Sequence, residues 1–208
     1  MRARFLNLSI LAVAAGTLVG AAFAAPALAQ EPRQWVKPPK TLPHKGSVQT
    51  YNLDTLFEAL KVAPDEASSK AIEERIWATW MVSGSDTCNL LMSRVKAAAD
   101  GKDYDLAIKL LNAIITIKPD YVEAWNQRAT VFYMKHDVGH AIADIGQVLA
   151  REPRHFGALS GLGLILQDIG DDKDALDAYR KALAIDPHLE HIPDVVKTLT
   201  EKVEGRDI

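Results

Sequence analysis

KPDYVEAWNQRATVFY, residues 118–133, places a proline just before a run of helical character that carries a tryptophan. Prolines at similar junctions recur at a fixed interval, since Pro119, Pro153 and Pro187 are separated by 34 residues each time. Each follows an apolar-rich segment, and proline is tolerated at the first turn of a helix, where no amide donor is needed. The spacing therefore indicates a repeated unit in which one helix ends and another begins near each proline.

Alanines recur at the same 34-residue interval as the prolines. An alanine stands twelve residues before each proline, at Ala107, Ala141 and Ala175. A small side chain suits a place where two paired helices approach closely, because a larger one would push them apart. A 34-residue period with this punctuation resembles the tetratricopeptide repeat, a helix–turn–helix unit, over about residues 88–189.

The resemblance implies an all-α fold, a short right-handed solenoid of antiparallel helix pairs with capping helices at both ends. No segment alternates β-branched and polar residues over a useful length, so the residues themselves predict no strand. The predicted organisation is a signal peptide at 1–29, a proline-rich extended tether at 30–49, a divergent N-terminal helical pair at 50–87, three repeat units at 88–121, 122–155 and 156–189, and a C-terminal capping helix at 190–208.

The sequence does not decide how the helical pair predicted within 50–87 relates to the repeat units. Periodicity predicts helices at about 53–62 and 65–82, and EALKVAP resembles the end of a second helix of a unit. Counting helices back from the first clear unit makes 53–62 a first helix instead. We interpret the pair as a divergent cap at the amino-terminal end of the array.

The first 29 residues have the pattern of an export signal. Arg2 and Arg4 give a positive start, and no further charge follows until Glu31. The small-residue pattern at Ala27 to Ala29 suits a signal peptidase that cleaves before Gln30. A membrane anchor is the alternative, which Pro26 disfavours because it interrupts the apolar run. The expected location is outside the cytoplasm, in the periplasm, with no membrane span after cleavage.

Charge and cysteine content narrow the classes of partner. The whole chain has a formal net charge of −3, and loss of Arg2 and Arg4 with the signal lowers it to −5. A mildly acidic chain disfavours nucleic acid as a partner, because nucleic acid binding needs a clustered basic face. The single cysteine, Cys88, excludes an internal disulfide and is predicted to be a buried thiol. The sequence does not indicate an oligomeric state.

The predicted tether contains one residue that invites two interpretations. Four prolines in residues 30–49 exclude a helix or a central strand there. Trp35 is either a docking residue for another protein or a side chain that lies on the nearest apolar surface of this one. The sequence favours neither.

Motifs for catalysis and metal binding are weak. Ser93 to Lys96 match the Ser-x-x-Lys string of some serine acyl-enzymes, but the companion Ser-Asp-Asn and Lys-Thr-Gly motifs are missing. His136 and His140 have a metal-compatible spacing, but they fall at a turn and are expected to be solvated. We therefore predict a protein that is not an enzyme, with no catalytic residues, cofactor or metal site.

The resemblance implies a peptide-binding groove on the concave face of the array, which the first helices of successive units line. In the family, ligand-facing residues stand at the second, fifth, ninth and twelfth places of each unit. Together with the neighbouring small Gly161, the matching residues of the predicted groove are Asn89, Met92, Lys96, Glu123, Asn126, Thr130, Tyr133, Gly157, Ser160, Leu164 and Gln167. Charges on the second helices, such as Asp144 and Asp177, suggest a solvated convex exterior.

The predicted function follows from this groove. We expect a non-catalytic scaffold that binds a protein or peptide in the bacterial cell envelope through its concave face. One alternative is a structural subunit of an envelope assembly complex. Another is an enzyme that uses Ser93 and Lys96. The family's carboxylate clamp needs basic residues where this chain has Gly157 and Gly161, so an acidic C-terminus is not the expected ligand.

Overall fold

A computed structural model describes residues 35, 36, 38 and 52–205, which fall within one compact unit, Arg33–Ile208. The predicted signal peptide and most of the predicted tether lie outside these residues. The described part forms nine α-helices and no strand, which confirms the all-α prediction. The helices are α1 Leu53–Lys61, α2 Glu66–Trp80, α3 Asp86–Asp100, α4 Tyr104–Ile117, α5 Val122–Met134, α6 Val138–Arg151, α7 Phe156–Asp168, α8 Asp172–Ile185 and α9 Ile192–Val203.

The turn inside each repeat keeps the 34-residue interval. Second helices begin after Asp103, Asp137 and Asp171, whose carboxylates accept a hydrogen bond from a backbone N–H three residues ahead. The residue just before each of these aspartates has positive φ: Lys102 at 60°, His136 at 61° and Gly170 at 86°. The turn therefore has one backbone shape in all three units, although only the last unit supplies a glycine for it.

Helix pairs α3–α4, α5–α6 and α7–α8 are antiparallel neighbours that stack in order. Ala107, Ala141 and Ala175 are fully buried, as predicted from their spacing. The helices of the last pair approach closely at Gly163, where an added Cβ would lie 2.7 Å from the ring of Tyr179. Helix α9 packs on α8 and covers the carboxyl-terminal end of the array with Ile192 and Leu199.

Helices α1 and α2 occupy an unexpected position. Sequence order predicts this pair at the α3 end of the stack. In the structure, its apolar side chains share one core cluster with α7, α8 and α9, led by Trp77 of α2 and Phe156 of α7. Ser69 of α2 donates a hydrogen bond to Asp186, 117 residues later, at 2.8 Å. The pair therefore folds back onto the last unit instead of extending the array beyond the first.

Candidate functional site

The predicted groove residues differ in their access to solvent. Among those of α3, Lys96 is exposed, Asn89 is half-buried and Met92 is buried. Of the predicted groove residues on α5 and α7, Tyr133 and Gln167 are half-buried. The buried members are Glu123, Asn126, Thr130, Gly157, Ser160, Gly161 and Leu164. The part of the face between α5 and α7, which we call the inner groove, is therefore covered.

Trp35 covers one half of the inner groove. Its side chain is 6% exposed, and its indole lies so close to Gly161 that a Cβ there would approach within 2.3 Å. The ring of Tyr133 packs beside it, with centroids 5.8 Å apart and planes tilted by 48°. The structure supports the second of the two interpretations of Trp35: its side chain packs on an apolar surface of its own chain. That surface is the predicted binding face.

Trp77 and Val36 cover the other half at Gly157. A Cβ at Gly157 would meet the Trp77 ring at 2.7 Å and the carbonyl oxygen of Val36 at 3.2 Å. Gly157 and Gly161 are four residues apart and share one face of α7. Both glycines are therefore needed for the close approach of another part of the chain to this helix.

His155, at the start of α7, is a buried residue that the sequence analysis missed. Its ring stacks on Trp80 of α2 with centroids 4.0 Å apart and planes only 5° from parallel. The backbone N–H of Ala158 donates to Nδ1 at 3.1 Å, so Nε2 carries the ring proton in the neutral form. Nε2 faces Glu123 Oε2 at 3.4 Å. A signal existed, because Tyr121 and Leu189 stand 34 residues to either side and are also buried.

Glu123 is the acidic centre of the same cluster and is fully buried. Its carboxylate accepts hydrogen bonds from Asn126 Nδ2 at 3.2 Å and from Gln127 Nε2 at 2.7 Å. Buried carboxylates need such donors, since an isolated one is costly to desolvate. The amide nitrogen of Asn126, one of the predicted groove residues, thus donates to an internal acid.

Three polar atoms around the inner groove have no hydrogen-bond partner. They are the indole Nε1 of Trp35, Oδ1 of Asn126 and Oε1 of Gln167, each buried from solvent. Indole N–H groups usually find an acceptor when buried, and amide oxygens a donor. The indole N–H of Trp35 is therefore an unused donor, and the amide oxygens of Asn126 and Gln167 are unused acceptors.

The prediction of a solvated convex exterior is wrong at one of its two residues. Asp144 of α6 is not a solvated charge, because it is 4% exposed. Arg128 of α5 binds it through two nitrogens, with Nε to Oδ2 at 2.7 Å and Nη2 to Oδ1 at 2.8 Å. The guanidinium also lies over the Trp125 ring, 4.8 Å from its centroid. Asp177, by contrast, is exposed and pairs with Lys181 one helical turn away.

Two acids, Glu73 of α2 and Asp186 of the turn after α8, interact electrostatically. Desolvation, together with the repulsion and hydrogen bonding of the neighbouring Asp186 carboxylate, raises the pKa of Glu73 to about 8. The Glu73 carboxyl is therefore protonated at neutral pH and able to share a hydrogen bond with Asp186. Asp186 also accepts the Ser69 hydroxyl and the backbone N–H of His188.

The α3 end of the array is less covered than the α7 end. Leu90 is 57% exposed and Leu106 is 44% exposed. A shallow hollow of about 410 Å³ lies there between α3 and α4, bordered by Arg94, Ala97, Leu106 and Leu110. This apolar edge is the place where a preceding helix pair would have stacked.

The side chains of the Ser-x-x-Lys string are engaged elsewhere. Ser93 Oγ donates to the carbonyl of Leu90 at 2.7 Å, and Lys96 Nζ pairs with Asp100 at 3.0 Å. His136 lies in the left-handed turn, whereas His140 belongs to α6 and stacks on Phe132. Within the described residues, no group of three or more metal-binding side chains converges.

Across the part of the chain that the structure describes, no helix is both long enough and apolar enough to cross a bilayer.

Comparison with known proteins identifies related chains. The tetratricopeptide repeat family model matches residues 126–190. A TPR repeat-containing protein of Rhizobium etli is 43% identical over 155 residues, which is 74% of this chain and 75% of that protein. The resemblance that the proline and alanine spacing predicts is thereby confirmed.

Solved structures share the architecture. The Sgt2 TPR domain from Aspergillus fumigatus aligns with a TM-score of 0.53 at 25% identity, over 58% of this chain and 81% of that one. The first TPR of Spaghetti (RPAP3), bound to an HSP90 peptide, aligns with a TM-score of 0.54 at 16% identity, over 58% of this chain and 95% of that one. These similarities show that the chain shares its fold with the two solved structures.

Proposed function

The chain belongs to the tetratricopeptide repeat family, and from that premise we propose that it is a non-catalytic protein-binding scaffold of the bacterial cell envelope. Its binding site is the inner groove between α5 and α7. One observation carries the proposal: the groove already holds a segment of chain that is neither helix nor strand, with Trp35 seated on Gly161 and Tyr133. A surface that accepts one such segment has the shape to accept another.

An extended peptide is the class of partner that fits this surface. The first TPR of Spaghetti, which shares the fold, was solved with a bound peptide. The two glycines of α7 permit close approach of a backbone but supply no positive charge. A partner that depends on a terminal carboxylate would find no clamp at these two positions, so we expect an internal segment of a protein instead.

The proposed location outside the cytoplasm rests on residues 1–29. Their positive start, long uncharged apolar run and Ala27-Leu28-Ala29 ending are typical of a cleaved export signal. We propose a mature chain that begins at Gln30 and works in the periplasm. The tether that follows then carries Trp35 close to its new amino terminus.

A second candidate function is favoured by the apolar edge at the α3 end. Leu90 and Leu106 are large apolar side chains open to solvent, and Leu106 borders a hollow of about 410 Å³. Another subunit stacking there would make the chain a structural part of an envelope complex. The two functions use different surfaces, so one experiment separates them.

Site-specific photo-crosslinking in cells is that experiment. A photoreactive side chain is placed at Gln167 in the inner groove, at Leu106 on the apolar edge, or at Asp177 on exposed α8 as the matched control. We expect a partner protein to be captured from Gln167 and not from Asp177. Capture from Leu106 alone would favour the structural subunit, and capture from Asp177 alone would contradict both.

The same crosslinked material tests the location. We expect it in the periplasmic extract, and sequencing of its amino terminus should begin at Gln30. Recovery from the cytoplasm with residues 1–29 still attached would contradict the envelope proposal and leave the groove proposal untouched.

A further inference from the structure

The segment in the inner groove contacts it as a bound peptide would. Trp35, Val36 and Pro38 are in neither helix nor strand, so the segment makes no repetitive backbone pairing. Trp35 lies on Gly161 and the Val36 carbonyl lies on Gly157, one helical turn earlier. Two adjacent residues thus run along α7 from its middle toward its amino-terminal end.

The fit of this segment is incomplete. Trp35 Nε1 donates to no acceptor, although Asn126 Oδ1 and Gln167 Oε1 around the same groove also lack partners. A buried indole N–H usually finds an acceptor, although that of Trp80 in the core also lacks one. Trp35 therefore packs closely on Gly161 and Tyr133 but makes no hydrogen bond through its indole. A ligand that made both contacts would bind the groove better than Trp35 does.

The segment belongs to the same chain as the groove. Residues 37–51, which include Pro38, Pro39 and Pro43, separate it from α1 in sequence. A contact within one chain benefits from a high effective concentration, so a partner must compete with Trp35 for the groove.

From these observations we infer that Trp35 is a tethered internal ligand, and that the partner of the inner groove is an extended segment that presents a tryptophan. The inference rests on the proposed function of this groove. The partner's indole replaces that of Trp35 between Gly161 and Tyr133, and its next residue passes over Gly157. A bulky or charged residue at that next position is excluded by the close approach of Trp77 to Gly157.

The test uses the purified chain from Gln30 onward and a labelled synthetic peptide of residues 31–39, EPRQWVKPP, with binding followed by fluorescence anisotropy. We expect Trp35→Ala to bind this peptide at least about tenfold more tightly than the wild type, because its groove is empty. A peptide with alanine in place of its tryptophan is the matched control and should not bind.

A second variant locates the site. In the Trp35→Ala background, Gly161→Leu places a side chain where the indole would lie. We expect it to abolish peptide binding while circular dichroism shows unchanged helicity. Retained binding would place the peptide elsewhere and overturn the inference.

Other results would also overturn it. Equal affinity of the wild type and Trp35→Ala would show that Trp35 does not compete for the site. Loss of the folded state in Trp35→Ala would make Trp35 part of the core, since a displaceable segment is not needed for folding. A wild-type dimer that becomes a monomer in Trp35→Ala would assign the groove to a second copy of the chain.

These outcomes are distinguishable from failure of the proposed function. If partners crosslink at Gln167 in cells but the tryptophan peptide does not bind, only the inference fails. If the peptide binds Trp35→Ala but no partner crosslinks at Gln167, the groove is a tryptophan site without the proposed scaffold role.

Discussion

Arg128 shows how one residue replaces a family feature by a different contact. The family favours Leu-Gly where this chain has Arg128 and Ala129, and the last unit keeps Leu162 and Gly163. Where Gly163 lets Tyr179 pack against α7, Arg128 instead grips Asp144 of the paired helix with two hydrogen bonds. The α5–α6 pair is thus held by a buried ion pair and the α7–α8 pair by an aromatic ring.

Removal of Asp144 tests that contact. We expect Asp144→Ala to lower the free energy of unfolding by about 2–4 kcal/mol, because it leaves the largely buried guanidinium of Arg128 without its acid. The control is Asp177→Ala, which breaks an exposed pair with Lys181 and should cost less than about 0.5 kcal/mol. Urea denaturation measures both, and equal losses would argue against the burial of Asp144.

At the scale of the element, the position of α2 depends on a proton. Glu73 faces Asp186 and Glu190, with Lys70 as the cation nearby, and its pKa is raised to about 8 from the ordinary 4.5. The raised pKa means that the folded chain holds this proton more tightly than the unfolded chain does. The stability it contributes is fully present below pH 4.5 and is lost as pH rises toward about 8.

This dependence predicts a pH profile. The wild type should lose free energy of unfolding between about pH 5 and about pH 9, as Glu73 gives up its proton beside Asp186. Glu73→Gln removes the titrating group and keeps a hydrogen-bond donor, so its profile should be flatter over the same interval. Urea denaturation at both pH values gives the comparison, and parallel profiles would show that Glu73 does not control the docking of α2.

The element scale also shows where sequence reasoning stops. The interval between Pro119, Pro153 and Pro187 predicts the helix pairs, because that punctuation is local. It cannot place α1 and α2, because an apolar helix face does not specify which surface will cover it. One signal was present: α7 reads FGALSGLGLILQD, with no charge before Asp168, and a helix that is apolar all round is buried on every side.

The groove illustrates the same limit. Three residues of the predicted groove, Gly157, Gly161 and Tyr133, contact another segment of chain in the structure. Family positions cannot reveal that the segment is the protein's own. Trp35 stands in a proline-rich stretch with no periodicity, so its burial depends on contact with residues about a hundred positions later, which no local pattern encodes.

For the whole molecule, the return of α1 and α2 to the last unit changes how the array should unfold. A simple array has contacts only between neighbouring units, so its stability is a sum of local terms. Here Ser69 reaches Asp186, and Arg154 Nη1 binds Asp54 at 2.7 Å and lies over Phe57, with its guanidinium carbon 4.3 Å from the ring centroid. These contacts join the two ends of the described helical region and couple the units between them.

Truncation at Ser85 tests this coupling, because it removes α1, α2 and the cover they provide for Phe156 and Leu159. We expect the full chain to unfold in one steep urea transition and the truncated chain in a broader one, less stable by about 5 kcal/mol or more, since several large apolar side chains lose their packing. Trp77→Ala in the full chain, expected to cost about 3–5 kcal/mol, keeps the test valid if the truncated chain is insoluble. A chain that begins at Pro39 is the matched control, because it lacks Trp35 but keeps both helices, and it should retain the single transition. If the chain from Ser85 unfolds with the same midpoint and slope as the full chain, α1 and α2 do not contribute to the stability of the array.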